Sequence, residues 1–74
     1  SEKIDMAIRH IHMMIDYKGE NTGIKEMRKH IAWYIKGLKN STSVRNAVNT
    51  INSKNELINI LLEYKESLHT DASA

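Results

Sequence analysis

GIKEMRKHIAWYIKGL, residues 23–38, is the stretch on which the fold turns. Its apolar residues Ile24, Met27, Ile31, Tyr34 and Ile35 recur at helical spacing. At about 100° of rotation per residue, with Lys25 at zero, they fall between roughly 180° and 280°, while Lys25, Lys29 and Lys36 lie within roughly 40° of one another. One helix, starting within Glu20 to Ile24 and ending near Ile35 or Lys36, therefore buries one face and turns cations outward. Gly37 suits the left-handed position after a helix, with Leu38 contacting the last turn.

Working outward, Ile4, Ala7, Ile8, Ile11, Met14 and Ile15 predict an amphipathic helix from Glu2 to Tyr17, stopped at Gly19. Downstream, Asn40-Ser41-Thr42-Ser43 predicts a loop and helix start, followed by a short helix through Val44, Ala47, Val48 and Ile51. Ser53 with Glu56 three residues on is a capping-box pattern, opening a fourth helix through Leu57, Leu61, Tyr64 and Leu68. The tail from Thr70 to Ala74 is expected to fray. The fold expected is all-α: a single small four-helix bundle-like domain over residues 1–74.

Composition agrees and excludes whole classes of chemistry. The 74 residues contain no Pro, Phe or Cys and only three Gly, which favours helix over sheet. Without cysteine there is no disulfide framework, thiolate zinc site or cysteine nucleophile, and the chain is compatible with the cytosol, its expected location. No apolar run is long enough to span a membrane. A chain of this size buries a small core near the limit of independent stability, and its start at Ser1 suggests a piece of something larger.

The net charge of +2 is unevenly placed. Residues 25–39 carry Lys25, Arg28, Lys29, Lys36 and Lys39 against Glu26 alone, and the flanking segments are each slightly acidic. Arg28 flanks the lysine ridge on one side and Trp33 on the other, and the small Ala32 lies within it. Lys39 and Arg45 are candidates to extend it. Clustered cations beside an aromatic suit a nucleic-acid backbone, because the cations release counterions and the ring can stack on a base or sugar. The plain alternative is a solvated lysine face; such faces ordinarily mix signs to gain i, i+4 pairs, which this ridge does not. Trp33 has its own alternative as a partly buried core edge.

A second stripe, Met6, His10, Met13 and Tyr17, runs along the first helix away from its core face. Its alternatives are isolated surface residues or a docking surface for a neighbouring domain. His10 and His12 point about 160° apart on a helix, and no carboxylate or cysteine completes a ligand set with His30 or His69, so no metal is expected. Gly19 and Gly23 lack the strand, lysine and hydroxyl residue of a phosphate-binding loop and are expected to form an ordinary loop. No Ser/His/Asp arrangement or paired buried carboxylates can be assembled. The chain is expected to be non-catalytic, with no cofactor of its own.

Arg28-Lys29-His30, Trp33-Tyr34 and Lys36-Gly37, at these spacings within residues 23–38, resemble the C-terminal helical segment of bacterial tRNA-dihydrouridine synthases of the DusB-like branch. Tyr17-Lys18-Gly19-Glu20 upstream and the Val44-Arg45 and Leu57-to-Leu62 helices downstream follow the same order. The resemblance implies a larger flavoenzyme, in which an FMN-bearing (β/α)8 barrel reduced by NADPH converts a tRNA uridine to dihydrouridine, with a barrel cysteine as proton donor. It implies that the present chain is the helical domain that holds tRNA. The tRNA-binding set expected is Lys25, Arg28, Lys29, His30, Trp33, Lys36, Lys39 and Arg45, with Arg28, Lys29 and Lys36 on phosphates and Tyr34 structural. Met6, His10, Met13 and Tyr17 are expected to dock the barrel. A protein-interaction bundle is the competing expectation. A helix-turn-helix DNA reader is third, because the cations form a ridge rather than the tip of a recognition helix.

Overall fold

A computed structural model describes residues 2–73, with side chains described from 2 to 68. Four helices follow one another: α1 (Glu2–Lys18), α2 (Glu20–Tyr34), α3 (Ser41–Val48) and α4 (Lys54–Ser73). The architecture is the small all-α domain that the periodicity predicts. Gly19 alone separates α1 from α2, at φ 88°, a left-handed conformation that lets the chain reverse in one residue. Glu20–Gly23 is then already helical, so the expectation of a loop from Gly19 to Gly23 is corrected. The reason is packing: Gly23 is buried, and a Cβ there would stand 3.0 Å from Ile15 Cγ1 and 3.1 Å from Ile15 Cα. There α2 packs closely on α1.

Ile4, Ala7 and Ile11 of α1, Ile24, Met27, Ile31 and the adjoining Ile35 of the second segment, Val48 of α3, and Leu57, Leu61 and Tyr64 of α4 form the core. Each lies on the face that the sequence assigns to it. Tyr34 is only partly buried, at the edge of that core, and Leu38 packs back onto it as expected.

Polar contacts hold the helix ends. Ser53 Oγ accepts the Glu56 N–H at 3.5 Å, half of the expected capping box, and Glu20 Oε2 reaches across from α2 to accept the Lys54 N–H at 3.2 Å. Both satisfy donors that the first turn of α4 would otherwise leave open. Tyr64 Oη donates to the Lys39 carbonyl at 2.6 Å, fastening the α2–α3 connection to α4. The helix of α4 continues through Ser73, so the backbone of 70–73 is helical where fraying was expected; Ala74 lies outside the described residues.

Candidate nucleic-acid interface

The outward face of α2 follows from its inward one. With Ile24, Met27 and Ile31 facing the core, Lys25 and Lys29 are held on the opposite side of α2; the helix ends at Tyr34, so Lys36 lies in the turn beyond it, and all three lysines are exposed. Among the described residues none of these three lysines has an ion-pair partner. Ala32, half-buried, keeps the middle of the ridge low. His30 and Trp33 are exposed on the flank that faces α1, and Trp33 keeps 79% of its surface. Trp33 is therefore not a core edge. Lys39 and Arg45 are exposed beyond the helix and on α3.

Arg28 behaves differently. Its Nη2 donates to the Ile51 carbonyl and to Asn52 Oδ1, each at 2.6 Å, and its Nε is buried without a hydrogen-bond partner. The guanidinium ties α2 to the connection between α3 and α4. The signal was present in the helical rotation, which sets Arg28 about 20° from Ile35, at the rim of the apolar face.

The second stripe is partly as expected. Met6, Met13 and Tyr17 are 58%, 63% and 84% exposed. His10 is instead half-buried between the helices: its Nδ1 lies 3.1 Å from Tyr34 Oη, and its ring sits 4.8 Å from that of His30. Tyr34, edge-on to His10 with centroids 5.9 Å apart, is thereby a helix–helix contact. Pairing His10 with His30 and Tyr34 requires knowing how α1 crosses α2, so no single-helix pattern reveals it. His12 is exposed, the His69 side chain lies outside the described residues, and among the described residues no group of three metal-ligating side chains forms.

Crossing of α1 on α2 also joins the two surfaces that the sequence keeps apart. Lys3 and Met6 of α1, with Trp33, Tyr34 and the adjacent Lys36, line one hollow of about 470 Å³. Lys3 was not among the expected site residues. Its signal is its spacing, three before Met6 and seven before His10, which places it on the same stripe.

Exposed ion pairs brace the outside, Lys18 with Glu26 at 2.8 Å and Lys65 with Asp5 at 2.7 Å among them. In each, the hydrogen bond from the lysine ammonium holds the carboxyl below its ordinary pKa. Glu26, the acid within the basic segment, is thus paired with Lys18 of α1.

Comparison with known proteins places this arrangement. The family model for dihydrouridine synthase matches residues 1–71. A probable tRNA-dihydrouridine synthase of Rickettsia conorii is 44% identical over 52 residues, covering 70% of this chain and 16% of its own length. Its counterpart in Rickettsia bellii is 35% identical over 66 residues, covering 89% of this chain and 20% of its own length. Probable tRNA-dihydrouridine synthase 1 of Synechocystis is 38% identical over 56 residues, 76% of this chain and 16% of the relative. The chain spans a fifth or less of the length of these relatives. No solved structure matches. With the family model covering nearly every residue of α1 to α4, the chain belongs to the dihydrouridine synthase family.

Proposed function

We propose that this chain is the C-terminal tRNA-binding domain of a tRNA-dihydrouridine synthase of the DusB-like branch, and that it positions tRNA for a flavin-bearing barrel in a longer cytoplasmic protein. The observation that carries the reading is the ridge of Lys25, Lys29 and Lys36, exposed and free of ion pairs among the described residues, on a chain whose relatives are named for acting on tRNA. Lys25 and Lys29 along α2 and Lys36 in the turn that follows it present ammonium groups on one side, suited to neutralising a phosphate backbone and to reading its shape rather than its sequence. His30, Trp33, Lys39 and Arg45 flank the ridge. Arg28 supports it from behind by fixing α2 against the loop at Ile51 and Asn52.

The residues present do not fit a flavin. Gly19 is a helix stop and Gly23 a helix–helix contact, so neither belongs to a phosphate-binding loop, and no step of the reduction is assigned to this chain. FMN and NADPH belong, in this proposal, to the barrel. Met13 and Tyr17, exposed toward the C-terminal half of α1, are the candidates for docking it. His10 is committed to Tyr34 and positions α1 on α2 instead.

Binding of labelled tRNA, set against duplex DNA of matched charge, tests the proposal. The expected result is preference for tRNA, with log K falling against log salt at a slope between roughly −2 and −4.5 for three to five phosphate contacts. Lys29→Glu and Lys36→Glu should each weaken binding and flatten that slope by about one unit, with stability changed by less than about 0.5 kcal/mol. A slope near zero, or equal affinity for duplex DNA, would overturn the reading.

A further inference from the structure

The hollow between α1 and α2 is chemically unlike the ridge beside it. Its floor is apolar, built from Met6 and the Trp33 and Tyr34 rings, and its rim carries two cations, Lys3 from α1 and Lys36 from the turn after α2, with no carboxylate among the lining residues. Trp33 stands 79% exposed although Ile31 and Ile35 beside it are fully or almost fully buried, so the core is closed without the indole. An aromatic ring kept in water by a helix whose core face is already complete is free to act as a stacking surface.

We propose that this hollow seats one unpaired nucleotide of the bound RNA, its base stacked on Trp33 and covered by Met6, with Lys3 and Lys36 on the adjoining phosphates. The inference rests on the tRNA reading above and makes it more specific. A volume of about 470 Å³ lies within the roughly 300–1,000 Å³ range of small-ligand sites. Base-paired RNA hides the faces of its bases, so only a nucleotide from a loop, bulge or end can enter. Charge selects between occupants. An apolar protein segment would cover the floor but would leave two rim ammonium groups without a counter-charge, whereas a nucleotide satisfies floor and rim together. Because Lys3 lies on α1 and Lys36 in the turn that ends α2, the α1–α2 crossing, with Gly23 against Ile15, also sets the distance between the two phosphate contacts.

Trp33 is the single tryptophan of the chain, so its emission reports on the hollow alone. The chain is titrated with tRNA, with a blunt RNA duplex of equal phosphate number, and with a short single-stranded oligonucleotide, while binding is followed separately by mobility of the labelled RNA. The expected result is quenching of Trp33 in step with binding of tRNA and of the oligonucleotide. The duplex should bind the ridge with little change in emission. Trp33→Ala should weaken tRNA binding by about 5- to 150-fold, the range for loss of one base–aromatic stack, while leaving the salt slope unchanged. Lys29→Glu should lower affinity but not the quenching reached at saturation. If tRNA binds while Trp33 emission stays constant and Trp33→Ala binds equally well, the nucleotide site is overturned and the tRNA reading stands. If no RNA binds, both fall. Quenching by a barrel-bearing protein segment but by no RNA would likewise overturn the site, in favour of a protein occupant.

Discussion

At the scale of single residues, Arg28 and Met27 show how neighbours on one helix do different work. Met27 is fully buried, so Met27→Ala removes packed volume and should destabilise the chain by roughly 2–5 kcal/mol, measured by urea or thermal unfolding. The salt slope of tRNA binding by the folded fraction should not change. Arg28→Ala removes a charged donor shared by the Ile51 carbonyl and Asn52 Oδ1, and should cost about 1.5–3 kcal/mol of stability, an effect that a purely phosphate-binding arginine would not produce. Tyr64 offers a third case. Tyr64→Phe deletes its 2.6 Å bond to the Lys39 carbonyl and should cost about 1 kcal/mol, seen as a lower unfolding midpoint. Burial raises the Tyr64 hydroxyl above its ordinary value of 10.0, so the neutral form is favoured in the folded state. That contribution is fully present below pH 10.0 and is lost as pH rises through the folded value. An unfolding titration of Tyr64→Phe should show a shallower alkaline decline than the parent chain.

The decisive element is the α1–α2 hairpin. A glycine within a helix ordinarily weakens it by about 1 kcal/mol relative to alanine, so propensity alone favours Gly23→Ala. Contact with Ile15 reverses the sign. The added methyl would meet not only the Ile15 side chain at 3.0 Å but also its Cα and N at 3.1 and 3.2 Å, and backbone cannot move aside without separating the helices. Gly23→Ala should therefore destabilise, by about 1 kcal/mol or more net of propensity. It should also shift Trp33 emission, because the hollow shared by Lys3, Met6 and Trp33 depends on the same crossing. Unfolding and emission scans of the variant check both outcomes.

Considered whole, the molecule has a radius of gyration of 11.7 Å, close to the roughly 11 Å expected of a compact chain of 74 residues. Its exterior is braced by Lys18–Glu26 and Lys65–Asp5, which join α1 to α2 and α1 to α4. Both carboxyls titrate below their ordinary values of 4.5 and 3.8, so their contribution is present above those values and is lost as pH falls through the depressed ones. The acid limb of stability should accordingly steepen below about pH 4.5 and flatten at high salt, since the pairs are exposed and screened. Proton titration of Glu26 by NMR in Lys18→Ala should show its carboxyl returning toward 4.5.

Periodicity by itself determined the four helices, their buried faces and the exposure of Lys25 and Lys29, because a helix rotates by a constant angle and one apolar stripe dictates the direction of every other side chain. Local signals likewise placed Gly19, Gly37 and Ser53 at the helix boundaries. Only the tertiary structure decided what happens between helices. It placed Gly23 at a contact instead of in a loop, turned Arg28 inward, withdrew His10 from the docking stripe to Tyr34, and joined Lys3 and Met6 to Trp33 and Lys36. These outcomes depend on how α1 crosses α2 and where the α3–α4 connection falls, quantities set by packing among residues far apart in the chain, to which no single helix's spacing is sensitive.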